Sequence, residues 1–172
     1  MKQKEWKMTC HAAAWDDLSA EEQALVEQAR RASEKAYSPY SDFQVGCALQ
    51  LEDGTVLTGS NQENSSYPCG LCAERTVLNY AHANHPDTAP HTLAIAAQTN
   101  GGFTHNPLPP CGICRQTMVE LERKFGKSLR LILYGQKESL LIDSASQLMP
   151  LQFDAEMLDE GKEKQGFTIT SD

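Results

Sequence analysis

Several things are missing from this 172-residue chain, and each absence narrows what it does. No uninterrupted apolar stretch approaches the roughly 18 residues of a membrane-spanning helix, so no membrane partner is expected. The N-terminus, MKQKEWKMTCHAAAW, lacks the apolar core of a secretory signal, because Trp6 and Lys7 interrupt it. A cytoplasmic location is therefore expected. Positive charge is scarce as well: 15 basic against 23 acidic residues leave a net charge of −8. That balance argues against a nucleic-acid partner, whose phosphates call for a basic surface. Internal repeats and low-complexity tracts are absent, and the length suits one domain with a real core. None of the five histidines stands at metal-ligand spacing from a cysteine pair.

What is present is cysteine. Cys10 and Cys47 stand alone, and Cys47 lies in an apolar run where a free thiol acts as a small buried hydrophobe. The other four form two C-x-x-C pairs, Cys69/Cys72 and Cys111/Cys114. Without an export signal, such pairs read as metal ligands before they read as disulfides.

The spacing around these pairs predicts alternating helices and strands. Ser19 and Glu22 have the spacing of a capping box, so a helix should begin there, with Leu25, Ala29, Ala32 and Ala36 on one face and Ser38-Pro39 as its stop. FQVGCALQL at 43–51 and TVLTGSNQ at 55–62 flank Asp53-Gly54 and read as a hairpin. A helix is expected from about Cys72 to Ala83, and TLAIAAQT at 92–99 is a buried strand. Another helix starts near Cys111, followed by strands at 129–135 and 140–142 and a small helix capped by Ser144 with Gln147. Helix-to-strand steps require crossovers, so the later strands should run parallel. The expected fold is α/β: a three-layer domain with a mixed five-stranded sheet and helices on both faces. Ligands of such sheets sit at strand carboxyl ends and helix amino ends, where both cysteine pairs fall.

A C-x-x-C at a helix start places two sulfurs on one side of the first turn, where the helix dipole favours thiolate. Four sulfurs around zinc would make a closed structural site; three would leave a position for water. Two features favour three. Thirty-eight residues, holding a helix and a core strand, separate Cys72 from Cys111, whereas closed ribbons usually separate their pairs by roughly 15–20. Glu74 also lies within a helical turn of Cys72, where a carboxylate can relay a proton from an activated water.

Cys72-Ala73-Glu74 and Pro110-Cys111-Gly112-Ile113-Cys114 match the zinc nucleobase deaminase signature, a pattern already described for that group. With CAER at 72–75 and PCGICRQ at 110–116, the chain resembles the small homotetrameric, all-cysteine cytidine deaminases. SPYSDFQVGCAL at 38–49, GSNQENSSYP at 59–68 and LLIDSASQLMPLQF at 140–153 extend the resemblance over residues 20–153. It implies residues 1–18 as an N-terminal extension, 19–153 as a cytidine-deaminase-like catalytic domain and 154–172 as a C-terminal tail.

By the same resemblance, Cys72, Cys111 and Cys114 hold one zinc ion and Glu74 shuttles protons while water attacks C4 of cytidine or 2′-deoxycytidine. Asn61 and Glu63 bind the sugar, Phe43 packs on the pyrimidine, and the Ala73 backbone N–H binds the base carbonyl. Tyr67 and Phe153 complete the site of a neighbouring subunit, and Arg75 donates to the sulfurs. Arg75, Arg115 and two helix N-termini would offset the −1 formal charge of three thiolates and one zinc ion. Cys69 departs from the family pattern. Two other readings remain at this point: an aminohydrolase of the same scaffold acting on another cytosine nucleoside such as blasticidin, and a non-catalytic four-cysteine zinc module.

Overall fold

The computed structural model describes residues 1–155 and Leu158, so most of the tail expected over 154–172 falls outside the described residues. The chain runs β1 (His11–Ala13), α1 (Ala20–Ser33), β2 (Phe43–Leu51), β3 (Val56–Ser60), α2 (Ala73–Asn84), β4 (Pro90–Thr99), β5 (Gly102–Phe103), α3 (Gly112–Phe125), β6 (Arg130–Leu133) and β7 (Ser139–Ile142). Short 3₁₀ turns lie at Trp15–Asp17, Tyr67–Cys69 and Ala145–Leu148.

Side chains alternate across a strand, so the doubly apolar runs of β2, β4 and β6 need cover on both sides. They have it. Val45, Cys47, Leu49, Leu93, Ile95, Leu131 and Leu133 bury against α2 and α3 on one face. Ala48, Ala94, Ala96 and Ile132 face Leu25, Val26 and Ala29 of α1 on the other. The α1 side is lined by small residues, and the helix sits correspondingly close. A Cβ at Gly46 would fall 2.1 Å from the Ala29 carbonyl oxygen, so no larger residue fits there.

The sheet order is β1-β7-β6-β4-β2-β3, with β5 paired to β4. β2 is antiparallel to both β3 and β4, and β4 is parallel to β6. Strands β3, β4 and β6 therefore share one direction, and the crossovers through α2 and α3 lie on the same face. That arrangement brings the starts of α2 and α3 side by side at one end of the sheet.

Among the described residues the sheet has seven strands where five were expected. The two additions are the three-residue β1, paired antiparallel to β7, and the two-residue β5, which folds back onto β4 after a turn with positive φ at Asn100 and Gly101. The Ser19–Glu22 capping box is present in both directions. However, α1 stops at Ser33, short of Ala36 and the Ser38-Pro39 signal. The Ser33 hydroxyl donates back to the Arg30 carbonyl, and the Lys35 and Ala36 N–H groups turn to carbonyls three residues back. The element after β7 is a 3₁₀ turn, and Ser144 does not cap it; its hydroxyl donates to Glu122 of α3 instead. Among the described residues, no helix is long and apolar enough to cross a membrane.

Candidate active site

The site is built from the two adjacent helix starts. Cys72 is the residue before α2, Cys111 the residue before α3, and Cys114 lies in the first turn of α3. Neither cysteine at these starts makes a side-chain cap, so their sulfurs are left for another partner. The three sulfurs lie within 4.8 Å of one another. Cys72 and Cys111 are 3.9 Å apart, and Cys111 and Cys114 are 3.4 Å apart. Tetrahedral zinc with Zn–S bonds of about 2.3 Å requires sulfurs roughly 3.8 Å apart, so the three residues fit that ion. Cys69, exposed in the preceding 3₁₀ turn, lies outside the cluster. The four-sulfur closed site therefore loses its fourth ligand.

Charge around the sulfurs favours metal binding. Hydrogen bonding from Cys114, then from Cys111, with the positive charge of Arg75, brings the Cys72 thiol down to about 5. Arg75 donates through Nη2 to the Gly70 carbonyl at 3.0 Å, and its buried Nε has no oxygen partner. A guanidinium with a spare N–H beside a thiolate is suitably placed to stabilise it. Arg115 also has a bracing part. Its Nε donates to the Pro110 carbonyl at 2.8 Å and its Nη1 to the Leu148 carbonyl at 3.0 Å, bracing the turn that presents Cys111.

Glu74 sits one residue into α2 and is only 4% exposed. Burial holds its carboxyl above the ordinary range, and the neighbouring Cys72 thiolate adds to this. A carboxyl raised in this way holds a proton more readily than a solvated one, which suits it to accept and return one. Ala73, fully buried, contributes a backbone N–H at the helix start, where such groups lack partners within the helix.

A cavity of about 450 Å³ opens beside Cys72, lined by Tyr40, Ser41, Asn61, Glu63, Tyr67 and Leu71 among others. That volume lies within the ~300–1,000 Å³ usual for small-molecule sites. Asn61 and Glu63 follow β3, where Asn61 grips the start of β2 and Glu63 the turn before it. The Asn61 amide accepts from the Val45 N–H at 2.8 Å and donates to the Phe43 carbonyl at 2.9 Å, keeping one N–H free. The Glu63 carboxylate is held low by the Ser41 hydroxyl and the Tyr40 N–H. Tyr67 stands at the cavity rim, edge-on to Tyr40 at 6.0 Å.

Three of the expected substrate contacts, Phe43, Ala73 and Phe153, do not line the cavity of the single chain, and neither do Glu74, Cys111 and Cys114. Phe43 opens β2 and packs partly against the α2/α3 core. Phe153 lies exposed on the α3 side, where its carbonyl accepts from Gln116. Sequence reasoning also missed a cavity residue, Ser41. Its signal was within the SPYSDF stretch, read only for Phe43.

The comparisons agree with this geometry. The family described as "Cytidine and deoxycytidylate deaminase zinc-binding region" matches residues 19–125. A cytidine deaminase from Halalkalibacterium halodurans is 41% identical over 138 residues, covering 80% of this chain and 98% of the relative. One from Sporosarcina psychrophila is 36% identical over 140 residues, covering 81% and 96%. The crystal structure of a cytidine deaminase from Burkholderia pseudomallei superimposes with a TM-score of 0.64 at 39% identity, covering 79% of this chain and all of that one. Residues from both helix starts converge on a zinc-shaped trio of sulfurs, within a stretch that family matches: this chain belongs to the cytidine and deoxycytidylate deaminase zinc-binding family.

Proposed function

We propose that this chain is a zinc-dependent cytidine deaminase, which adds water to cytidine or 2′-deoxycytidine and releases ammonia to give uridine or 2′-deoxyuridine. One observation carries the reading: a nearly buried Glu74 beside three sulfurs that leave a zinc coordination position open. A structural zinc knuckle has no use for that carboxylate. Bound there, zinc supplies the Lewis acidity that lets water act as a nucleophile near neutral pH. Cys72, Cys111 and Cys114 hold it, and Arg75 steadies the Cys72 thiolate.

Glu74 takes one proton from the attacking water and delivers it to N3 of the pyrimidine, then takes the remaining proton from the new C4 hydroxyl and passes it to the amine, which leaves as ammonia while C4 becomes a carbonyl. The Ala73 N–H binds the base carbonyl O2, and Phe43 packs against the ring. Asn61 and Glu63 hold the sugar, which favours free nucleosides over bare bases. With a net charge of −8, the chain offers little to a polynucleotide. The catalytic unit spans residues 19–153, between an N-terminal extension and the tail.

The assembly we assign is a homotetramer in the cytoplasm, serving pyrimidine salvage. Its support is the exposure of large aromatic side chains, Tyr67 at 76% and Phe153 at 58%, each suited to completing a neighbour's site. A blasticidin-type substrate has no observation in its favour.

The test is cytidine turnover followed by ultraviolet absorbance and ammonia release, with zinc per chain measured on the same sample. Glu74→Gln should keep zinc and the melting profile but lose at least about 10²-fold in kcat. Retained turnover in that variant would refute the assignment of Glu74, and zinc binding without deamination of any cytosine nucleoside would refute the enzyme.

A further inference from the structure

Ser41 sits in the turn between α1 and β2, and its hydroxyl is used twice. It donates to Oε1 of Glu63 and accepts the Phe43 N–H at 3.1 Å. Oε2 of the same carboxylate accepts the Tyr40 N–H at 2.9 Å and the Ser41 N–H at 3.3 Å. The turn itself is held in an unusual shape: Asp42 has φ of 52°, and its carbonyl accepts from the Thr99 hydroxyl at 3.0 Å. A carboxylate offers about four acceptor sites. The turn fills both sites on Oε2 and one on Oε1, leaving a single site for anything that enters the cavity Glu63 lines.

The backbone contacts alone would not fix that site. Both go to Oε2, and a carboxylate held through one oxygen can still tilt about that contact by small changes in several side-chain torsions, the last of which has a broad profile. The Ser41 hydroxyl anchors the second oxygen, and hydrogen bonds to an ionised acceptor are the strong ones. The same hydroxyl also touches the backbone of Phe43, the first residue of β2. One side chain thus sets the position of an acceptor and of an aromatic residue 20 positions apart in sequence.

We propose that Ser41 is a positioning residue for sugar recognition: its hydroxyl locks the Glu63 carboxylate so that one acceptor site is presented to one sugar hydroxyl, and it ties that acceptor to the start of β2. The inference rests on Glu63 as a sugar-binding residue, and the experiment separates the two. Zinc-loaded S41A, S41T, E63A and the S41A/E63A double variant are assayed with cytidine and with 2′,3′-dideoxycytidine, with zinc content and melting recorded for each. S41G serves as a second hydroxyl deletion, measured beside S41A.

S41A should raise KM for cytidine about tenfold while kcat stays within about twofold, the signature of lost binding that is uniform along the reaction. S41T, which restores the hydroxyl, should recover KM. With 2′,3′-dideoxycytidine, or in the E63A background, removing the Ser41 hydroxyl should raise KM by no more than about twofold, the part left to its bond with the Phe43 N–H, because the main coupled partner is already gone. The proposal is overturned if E63A raises KM and S41A does not, or if their effects add. If E63A itself leaves KM unchanged, the reading of Glu63 fails first and takes this one with it.

Discussion

Gly59 offers a test of how closely the sheet sets the chemistry. It lies in β3, beneath the first turn of α2. A Cβ there would stand 2.9 Å from the Val77 nitrogen and 3.0 Å from both the Ala73 carbonyl oxygen and the Val77 Cβ. Ordinary contacts to carbon fall at roughly 3.5–4.0 Å, so in Gly59→Ala the helix start must retreat by about half an ångström or more. That turn carries Glu74 and follows directly on Cys72. Two separable effects follow. Overpacking should cost about 1–3 kcal/mol, which for a chain of this length lowers Tm by roughly 2–4 °C per kcal/mol. Misplacing a reacting group by 1 Å can cost about 10²-fold, so half that displacement should lower kcat/KM about tenfold. The control is Ser19→Ala, which deletes the cap bond from the Glu22 N–H. It should cost about 1 kcal/mol, on the opposite face of the sheet, and leave kcat/KM alone. Tm by calorimetry and kcat/KM per zinc-loaded chain, measured for both, decide the matter. Wild-type kcat/KM in a destabilised Gly59→Ala would refute the idea that the β3–α2 contact sets the position of Glu74.

Three other variants address the metal and the sheet edge. Cys69→Ser should keep one zinc per chain and full turnover, whereas Cys111→Ser should weaken zinc retention against a chelator, as judged by metal analysis after dialysis. Deleting residues 1–18 removes β1 from β7 and takes away Trp15, whose ring meets Tyr134 edge-on at 6.1 Å. Melting should fall by several degrees, and light scattering should reveal association through the uncovered strand; an unchanged melt would show that the extension is not part of the sheet's stability.

The sequence was most readable where periodicity or spacing is strong. The nearly continuous apolar run at 92–99 marks a buried strand, and the structure buries Leu93, Ile95 and Ala97 on one face and Ala94 and Ala96 on the other. The Ser19–Glu22 box marks the start of α1 because both its bonds are local. The end of α1 was harder, since the Ser33 hydroxyl closes it several residues before the proline. β1 and β5 escaped notice because two or three residues carry no period, and their pairing depends on partners far along the chain. The cysteine trio was legible because each sulfur sits at a helix start with a fixed offset. Ser41 was not, because its partner Glu63 lies 22 residues away and only the turn brings them together. The bracing role of Arg115 depends on the Leu148 carbonyl, equally remote in sequence.

The side-by-side starts of α2 and α3 also bear on durability. Cys72 and Cys111 belong to different crossovers, with 38 residues of chain between them. An ion gripped by both is a removable staple across that span. By the loop-closure relation for a covalent link, a staple of this reach is worth on the order of 4 kcal/mol to the folded state. Chelators and thiol oxidants would then do more than silence the enzyme. By attacking the sulfurs they would loosen the joint between α2 and α3, so endurance and activity would fade together as metal is lost.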